Sequence, residues 1–327
     1  MEWQKATFRE QLDTVLMISK PARENLGEDS FYCAADADSA IVAVCDGCGG
    51  LGARKYESFK GHTGAYIASR TVSGAVCDWY HIWRKENDKS KHTFAESLDT
   101  MIRRAYKICE PYGIEKMRIM GSMVRKLPTT LALAYAEKDE NGILIRILWA
   151  GDSRVYLLDK NGLAQLTRDD TDVEDALENL ISDGAMTNVL SSDGKYILNY
   201  RTIYITDPCL IFAATDGCFG YIPSPMEFEY TILNAIAESR TPDEFKRMLY
   251  DEFTQYAEDD FAFGMMSFLF GSYRQTGKVL SGRLQYMKEK YICPLEQNGD
   301  DEDIRELWES YKPEYERYLK DDVKKKL

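Results

Sequence analysis

Long apolar runs are missing from this 327-residue chain: none approaches the length that a bilayer-crossing helix needs. The amino terminus, MEWQKATFREQLD, is charged from its second residue, which argues against a secretory leader. Basic excess is missing too. With 41 Lys and Arg against 54 Asp and Glu, the net charge is −13, so the electropositive footprint of a nucleic-acid binder is absent. Neither nucleic acid nor membrane is expected as a partner. The eight cysteines follow no disulfide-scaffold spacing, and several lie inside apolar runs where cysteine acts as a small hydrophobe. A reducing, cytoplasmic setting is expected. Cys45 and Cys48 make one CxxC pair with no second pair and no paired histidine after it, so the spacing reads as incidental. His62, His81 and His92 lack ligand spacing and read as structural or exposed.

Apolar runs bounded by Asn, Asp, Gly or Pro predict buried strands at Ala40–Cys45, Leu131–Ala136, Ile143–Trp149, Val155–Leu158, Tyr200–Ile205 and Leu210–Ala214. Helical patterning covers Ser58–Tyr80, Phe94–Cys109, Met226–Ala237 and Pro242–Tyr256, the last behind a Thr241 cap. Asn141-Gly142 and Asn161-Gly162 sit between neighbouring strands and favour antiparallel hairpins over a βαβ array. An α+β layered architecture follows. Arg168 to Lys195 is polar and acidic, an excursion expected to cover a site and to carry a short helix. Beyond Thr276 the chain turns to charged helical segments with Leu284, Met287 and Tyr291 on one face and Ile304, Leu307, Tyr311, Tyr315 and Tyr318 on another. We expect this tail to dock. Its closing run, Lys324 to Lys326, reads as a solvated helix end.

Three acidic stretches stand at the ends of apolar runs: Asp46 before Gly-Cys-Gly-Gly, Asp216 before Gly217, and the Asp259-Asp260 pair. Aspartates at strand tips, with glycine alongside to admit close backbone, are a means of gathering carboxylates around a hard divalent cation. Residues 47 to 52 also satisfy GxGxxG. A dinucleotide site would want an acid at the end of the second strand, yet no Asp or Glu occurs between Ser58 and Val76, and Asp46 would repel a pyrophosphate.

Glu28-Asp29-Ser30, Asp46-Gly47-Cys48-Gly49-Gly50, Thr129-Thr130-Leu131, Gly151 to Tyr156, Gln165-Leu166-Thr167, Thr215-Asp216-Gly217 and Asp259-Asp260 occur in this order. Together they resemble the motifs of metal-dependent type 2C protein phosphatases, over about residues 20 to 270, and most resemble the bacterial serine/threonine-directed branch. The resemblance implies a four-layer αββα sandwich: two antiparallel sheets flanked by helices, here with a C-terminal helical extension. It divides the chain into a catalytic domain (1–275, with a flap-like excursion at about 168–195) and the extension (276–327).

The same resemblance implies two Mn²⁺ or Mg²⁺ ions bridged by Asp46, with the Gly47 carbonyl, Asp216 and Asp259 as further ligands and Glu28 and Asp29 acting through water. Asp260 competes with Asp259, because adjacent strand residues face opposite ways. Asp152 would help hold a third ion, partnered by Asp170, Asp172 or Asp175 of the flap. The implied reaction is hydrolysis of phosphoserine or phosphothreonine in a protein substrate by a metal-bridging hydroxide. Several departures stand out. Arg23, the candidate for binding substrate phosphate, lies one residue too far upstream. Cys48 replaces a histidine that many eukaryotic members carry, Arg54 to Glu57 replace a glycine-and-acid pattern, and Pro128 replaces a glycine before the paired threonines. These changes and the long tail motivate the alternative, a pseudophosphatase that serves as a regulatory binding module.

Overall fold

Runs that are apolar without alternation belong to strands covered on both faces. The computed structural model describes residues 6–24, 26–86, 91–109, 126–182, 184–298 and 301–319. A one-turn helix, α1 (Phe8–Gln11), leads into β1 (Leu12–Lys20), β2 (Ser30–Ala35) and β3 (Ser39–Cys45). Short α2 (Gly49–Gly52) and the hairpin β4 (Lys55–Tyr56) with β5 (His62–Thr63) precede a helix pair, α3 (Gly64–Trp83) and α4 (Lys91–Cys109). Next come β6 (Leu131–Asp139), β7 (Gly142–Ala150), β8 (Arg154–Asp159), β9 (Gly162–Gln165), α5 (Ala176–Ser182), β10 (Asn199–Ile205) and β11 (Cys209–Ala214). The chain continues through α6 (Pro225–Glu238), α7 (Pro242–Tyr256), β12 (Phe261–Phe268), α8 (Tyr273–Met287), α9 (Cys293–Asn298) and α10 (Asp301–Tyr315).

Two five-stranded antiparallel sheets, β1-β12-β11-β8-β9 and β10-β7-β6-β3-β2, stack face to face. Alternation along β3 explains its sequence: Ala40, Val42 and Val44 enter the core between the sheets, while Ile41, Ala43 and Cys45 meet α3 and α4. In β12 the same period sends Ala262, Met266 and Phe268 inward and Phe261, Phe263 and Met265 toward the opposite helical layer. Gly264 lets the sheets close on each other, because a Cβ there would run into the Met17 sulfur and approach the Val42 Cβ to 3.2 Å. The Asn-Gly hairpins are antiparallel, joining β6 to β7 and β8 to β9. Asp139 and Asp159 accept the Asn141 and Asn161 N–H groups, and Gly142 and Gly162 take positive φ.

The first long helix begins later than its apolar pattern suggests. Lys60 and Gly61 adopt left-handed backbone, at φ 57° and 77°, which interrupts Ser58–Tyr80; Thr63 then caps α3 by accepting the Tyr66 N–H. Strands β1, β2 and β12 are missing from the list of predicted strands. The tail packs: Leu280, Met287, Tyr291, Trp308, Tyr311 and Tyr315 join the core formed by β8, β11, β12, α6 and α7. The Lys324 to Lys326 run lies outside the described residues. No helix among the described residues is long and apolar enough to cross a membrane.

Candidate active site

Asp46 ends β3, where its backbone is clamped by the paired threonines. Its N–H donates to the Thr130 hydroxyl (3.0 Å), and its carbonyl accepts from the Thr130 N–H (2.8 Å) and the Thr129 hydroxyl (2.6 Å). Thr130 also shares a 2.6 Å hydrogen bond with Ser153, so one threonine ties the Asp46 turn to the turn that carries Asp152. Gly47 is required by the proximity of backbone, and Gly49 leaves room for a side chain. A Cβ on Gly47 would sit 2.6 Å from the Ala65 carbonyl oxygen, and one on Gly49 would overlap the Glu28 carboxylate.

Glu28 and Asp29 come from the loop between β1 and β2. The Thr63 hydroxyl donates to Glu28, and the Thr215 hydroxyl donates to Asp29 at 2.8 Å. Asp259 and Asp260 part company here. The buried Asp260 carboxylate accepts the Ala22 N–H at 2.6 Å and the Glu28 N–H, and so shapes the loop that presents Glu28 and Asp29. Asp259 is exposed, and its charge is felt at Asp46. Asp216 opens a 3₁₀ turn after β11 and accepts the Gly217 N–H at 2.9 Å. A Cβ on Gly217 would overlap the Asp260 carbonyl, so only glycine brings these two turns together.

The excursion after β9 lies over the Asp152 turn and carries α5. Asp170 accepts the Gly151 N–H (3.1 Å) and is held by Asn188 (2.6 Å) and Asn199 (2.9 Å). Asp172 is exposed and accepts the Ala185 N–H at 2.7 Å. Asp175 caps α5 and receives Trp308 and Lys312 from the tail. Of the three flap aspartates, Asp170 is the one tied to the Asp152 turn.

The electrostatics around Asp46 are one-sided. Burial pushes the carboxyls of Asp29, Asp46 and Asp152 well above the ordinary range, and the charge of Asp216 pushes each further. The largest charges acting on Asp46 are those of four other aspartates: Asp216, Asp29, Asp152 and Asp259. One Asp152 oxygen is buried with no hydrogen-bond partner. Among the described residues no three His, Cys, Asp or Glu side chains close into a ready ligand cage. The donor set nevertheless fits a hard divalent cation. It offers carboxylate oxygens that repel one another, an orphaned buried oxygen, and glycines where a side chain would intrude.

Arg23 does not join this group. It is exposed, and among the described residues its side chain enters no hydrogen bond or ion pair. Arg70 stands nearer. A cleft of about 550 Å³ beside the carboxylates is lined by Asp29 and Asp260 together with Lys20, His62, Tyr66 and Arg70. Sequence reading passed over Arg70, which stands on the second turn of α3 one turn beyond Tyr66, with His62 of β5 stacked on that tyrosine. His62 thus stands at the cleft. The reading of His92 falls on a side chain outside those described. The eight cysteines are free.

A family model described as Protein phosphatase 2C matches residues 19–262. The chain therefore belongs to the protein phosphatase 2C family. Solved structures share the fold at low identity. PppA, described as a key regulatory component of T6SS in Pseudomonas aeruginosa, is 17% identical with a TM-score of 0.55, covering 78% of this chain and 97% of its own. The serine/threonine phosphatase Stp1 from Staphylococcus aureus is 17% identical with a TM-score of 0.57, covering 79% and 97%. The catalytic domain of PstP, a serine/threonine phosphatase of Mycobacterium tuberculosis, was solved with two manganese ions; it is 19% identical with a TM-score of 0.51, covering 79% and 99%. No curated protein sequence matched the chain.

Proposed function

We propose that this chain is a divalent-metal-dependent protein phosphatase acting on phosphoserine or phosphothreonine. The observation that carries the reading is the convergence of half-buried Asp29, Asp46 and Asp152 around Asp216: burial, and then the charge of Asp216, raises the proton affinity of each of the three. Asp46, Asp216, Asp259 and the Gly47 carbonyl are the direct ligands we assign, with Glu28 and Asp29 behind them and Asp152 at a further ion. Asp260 is left to shape the loop, since its oxygens already accept backbone N–H groups. Bound Mn²⁺ or Mg²⁺ would neutralise phosphoryl charge and lower the pKa of water for in-line attack. The manganese ions of PstP support that choice of cation.

The chain's own contribution is placement. Thr129 and Thr130 fix the height of Asp46, Thr215 holds Asp29, and Asp260 sets the loop. We assign residues 1–275 to the catalytic domain and 276–327 to an extension packed on it. The decisive assay is hydrolysis of a phosphothreonine peptide with Mn²⁺ against chelator. Asp46→Asn should lower turnover at least ~10³-fold, which corresponds to about 4 kcal/mol of transition-state stabilisation. Wild-type protein that is inert with excess Mn²⁺ would favour the binding-module alternative, and full activity in the mutant would remove Asp46 from its role.

A further inference from the structure

We propose that Arg70, rather than Arg23, anchors the phosphate group of the substrate, in the cleft that α3 forms beside the carboxylates. The proposal rests on the phosphatase reading above and names the cation that reading needs. Arg70 lines the cleft together with Asp29 and Asp260, whereas Arg23 sits exposed in the preceding turn and does not line it.

The guanidinium is held without a direct ion pair among the described residues. Its Cζ lies 3.5 Å over the centre of the Tyr66 ring, and His62 stacks on that same ring at 3.8 Å with the planes 6° apart. Among the described residues its hydrogen bonds are two long ones from Nη1, both 3.4 Å, to the Tyr66 carbonyl and the Ser69 hydroxyl. Among the described residues Nε and Nη2 have no acceptor and no carboxylate lies within ion-pair distance of Arg70, although its charge reaches Glu28.

That is unusual beside so many acids, and the reason is visible in their partners. Asp260 is occupied by the Ala22 and Glu28 N–H groups, Asp29 by Thr215, and Glu28 by Thr63. The remaining donors of Arg70 therefore suit an incoming anion. A planar fork matches two oxygens of a phosphomonoester dianion better than a point charge does. Stacking on Tyr66 orders the side chain beforehand, which reduces the rotamer freedom that binding must remove. Lys20, in the same cleft, adds positive charge without competing geometry.

The test uses the full chain with Mn²⁺ and reads KM and kcat for a phosphothreonine peptide, Ki for inorganic phosphate, and calorimetric titration with inorganic phosphate. Arg70→Met should raise KM and Ki by about tenfold to a hundredfold, the range of one lost charge-assisted contact, with a smaller fall in kcat. Arg70→Lys should recover part of the loss. Circular dichroism establishes that both variants fold. An unchanged Ki in Arg70→Met, or a larger rise in Arg23→Met than in Arg70→Met, overturns the proposal. If wild-type protein hydrolyses no phosphopeptide, the phosphatase reading fails while calorimetry still decides this one. Phosphate binding that Arg70→Met abolishes supports the anchor; equal binding in both proteins, or none in the wild type, overturns it.

Discussion

The carboxylate cleft and the seat of the C-terminal helices bury charge in opposite ways. Beneath α8 and α10, Arg283 meets Glu229 through two hydrogen bonds of 2.7 and 2.9 Å and Glu314 through a third of 2.7 Å; Tyr311 adds a 2.6 Å bond to Glu229. Nearby, buried Arg154 pairs with Asp169 at 2.7 Å, with Tyr156 and Tyr315 at 3.3 Å completing the set. Each of these two arginines touches its countercharge. At Asp46 the strongest neighbouring charges share its sign. The seat of the tail pairs each buried charge as folded, whereas the acids around Asp46 press on one another, and that separates a structural network from a candidate site.

The comparison breaks most visibly where a pair is split. Arg283→Met leaves Glu229, fully buried, without its partner, and should cost about 3–5 kcal/mol in urea unfolding. Replacing both, Arg283→Met with Glu229→Leu, should restore most of that loss, because an apolar pair needs no countercharge. A double variant as unstable as the single one would mean that packing, not charge, holds the tail.

Removing a charge from the cleft should do the reverse. In chelator, Asp46→Asn is expected to stabilise the fold by about 1–3 kcal/mol, the scale of relieving an uncompensated buried group, while turnover disappears. The pH dependence follows from the same cause. Burial and like charges raise the Asp46, Asp29 and Asp152 carboxyls, so their favourable contribution is complete below the unfolded pKa and is lost as pH rises through the raised folded values. Metal-free protein should therefore melt at lower temperature as pH climbs above the ordinary carboxylate range. Mn²⁺ should flatten that slope, and Asp46→Asn should weaken it without metal. A slope indifferent to both would mean that these carboxyls are not what the melting reports.

Much of this was legible from residue order. Strand-tip aspartates beside glycine marked Asp46 and Asp216, because close backbone approach and carboxylate position are both local properties. Antiparallel pairing was legible in Asn-Gly turns, and the docked tail in its aromatic faces. What escaped depends on distant partners. Choosing Asp260 as the loop-shaper required knowing that Ala22 and Glu28, more than 230 positions away, bring their N–H groups to it. Arg70 was hidden for a related reason: the left-handed Lys60-Gly61 turn and the Thr63 cap set the face of α3, and helical periodicity continued back to Ser58 concealed both.

The flap offers the mildest test, since it touches both regions. Asp170 is tied to the Asp152 turn, while Asp175 and Glu178 are gripped by α10 through Lys312 at 2.6 Å and Arg305 at 3.0 Å. These pairs are half-exposed, so Lys312→Met should cost only about 0.5–1 kcal/mol near neutral pH. Burial acts to raise the Asp175 carboxyl, but hydrogen bonds from Lys312, the Glu178 N–H and Trp308 together hold it below its ordinary value. Its contribution is therefore present above the unfolded carboxylate pKa and disappears as pH falls through the lowered folded one. Hydrogen exchange should separate the loss spatially: amides of α5 should exchange faster in Lys312→Met, while those of α8 around Arg283 stay protected. Faster exchange throughout α8 as well would show that the flap and the tail open as one unit, making the extension part of what holds the cover over the carboxylates.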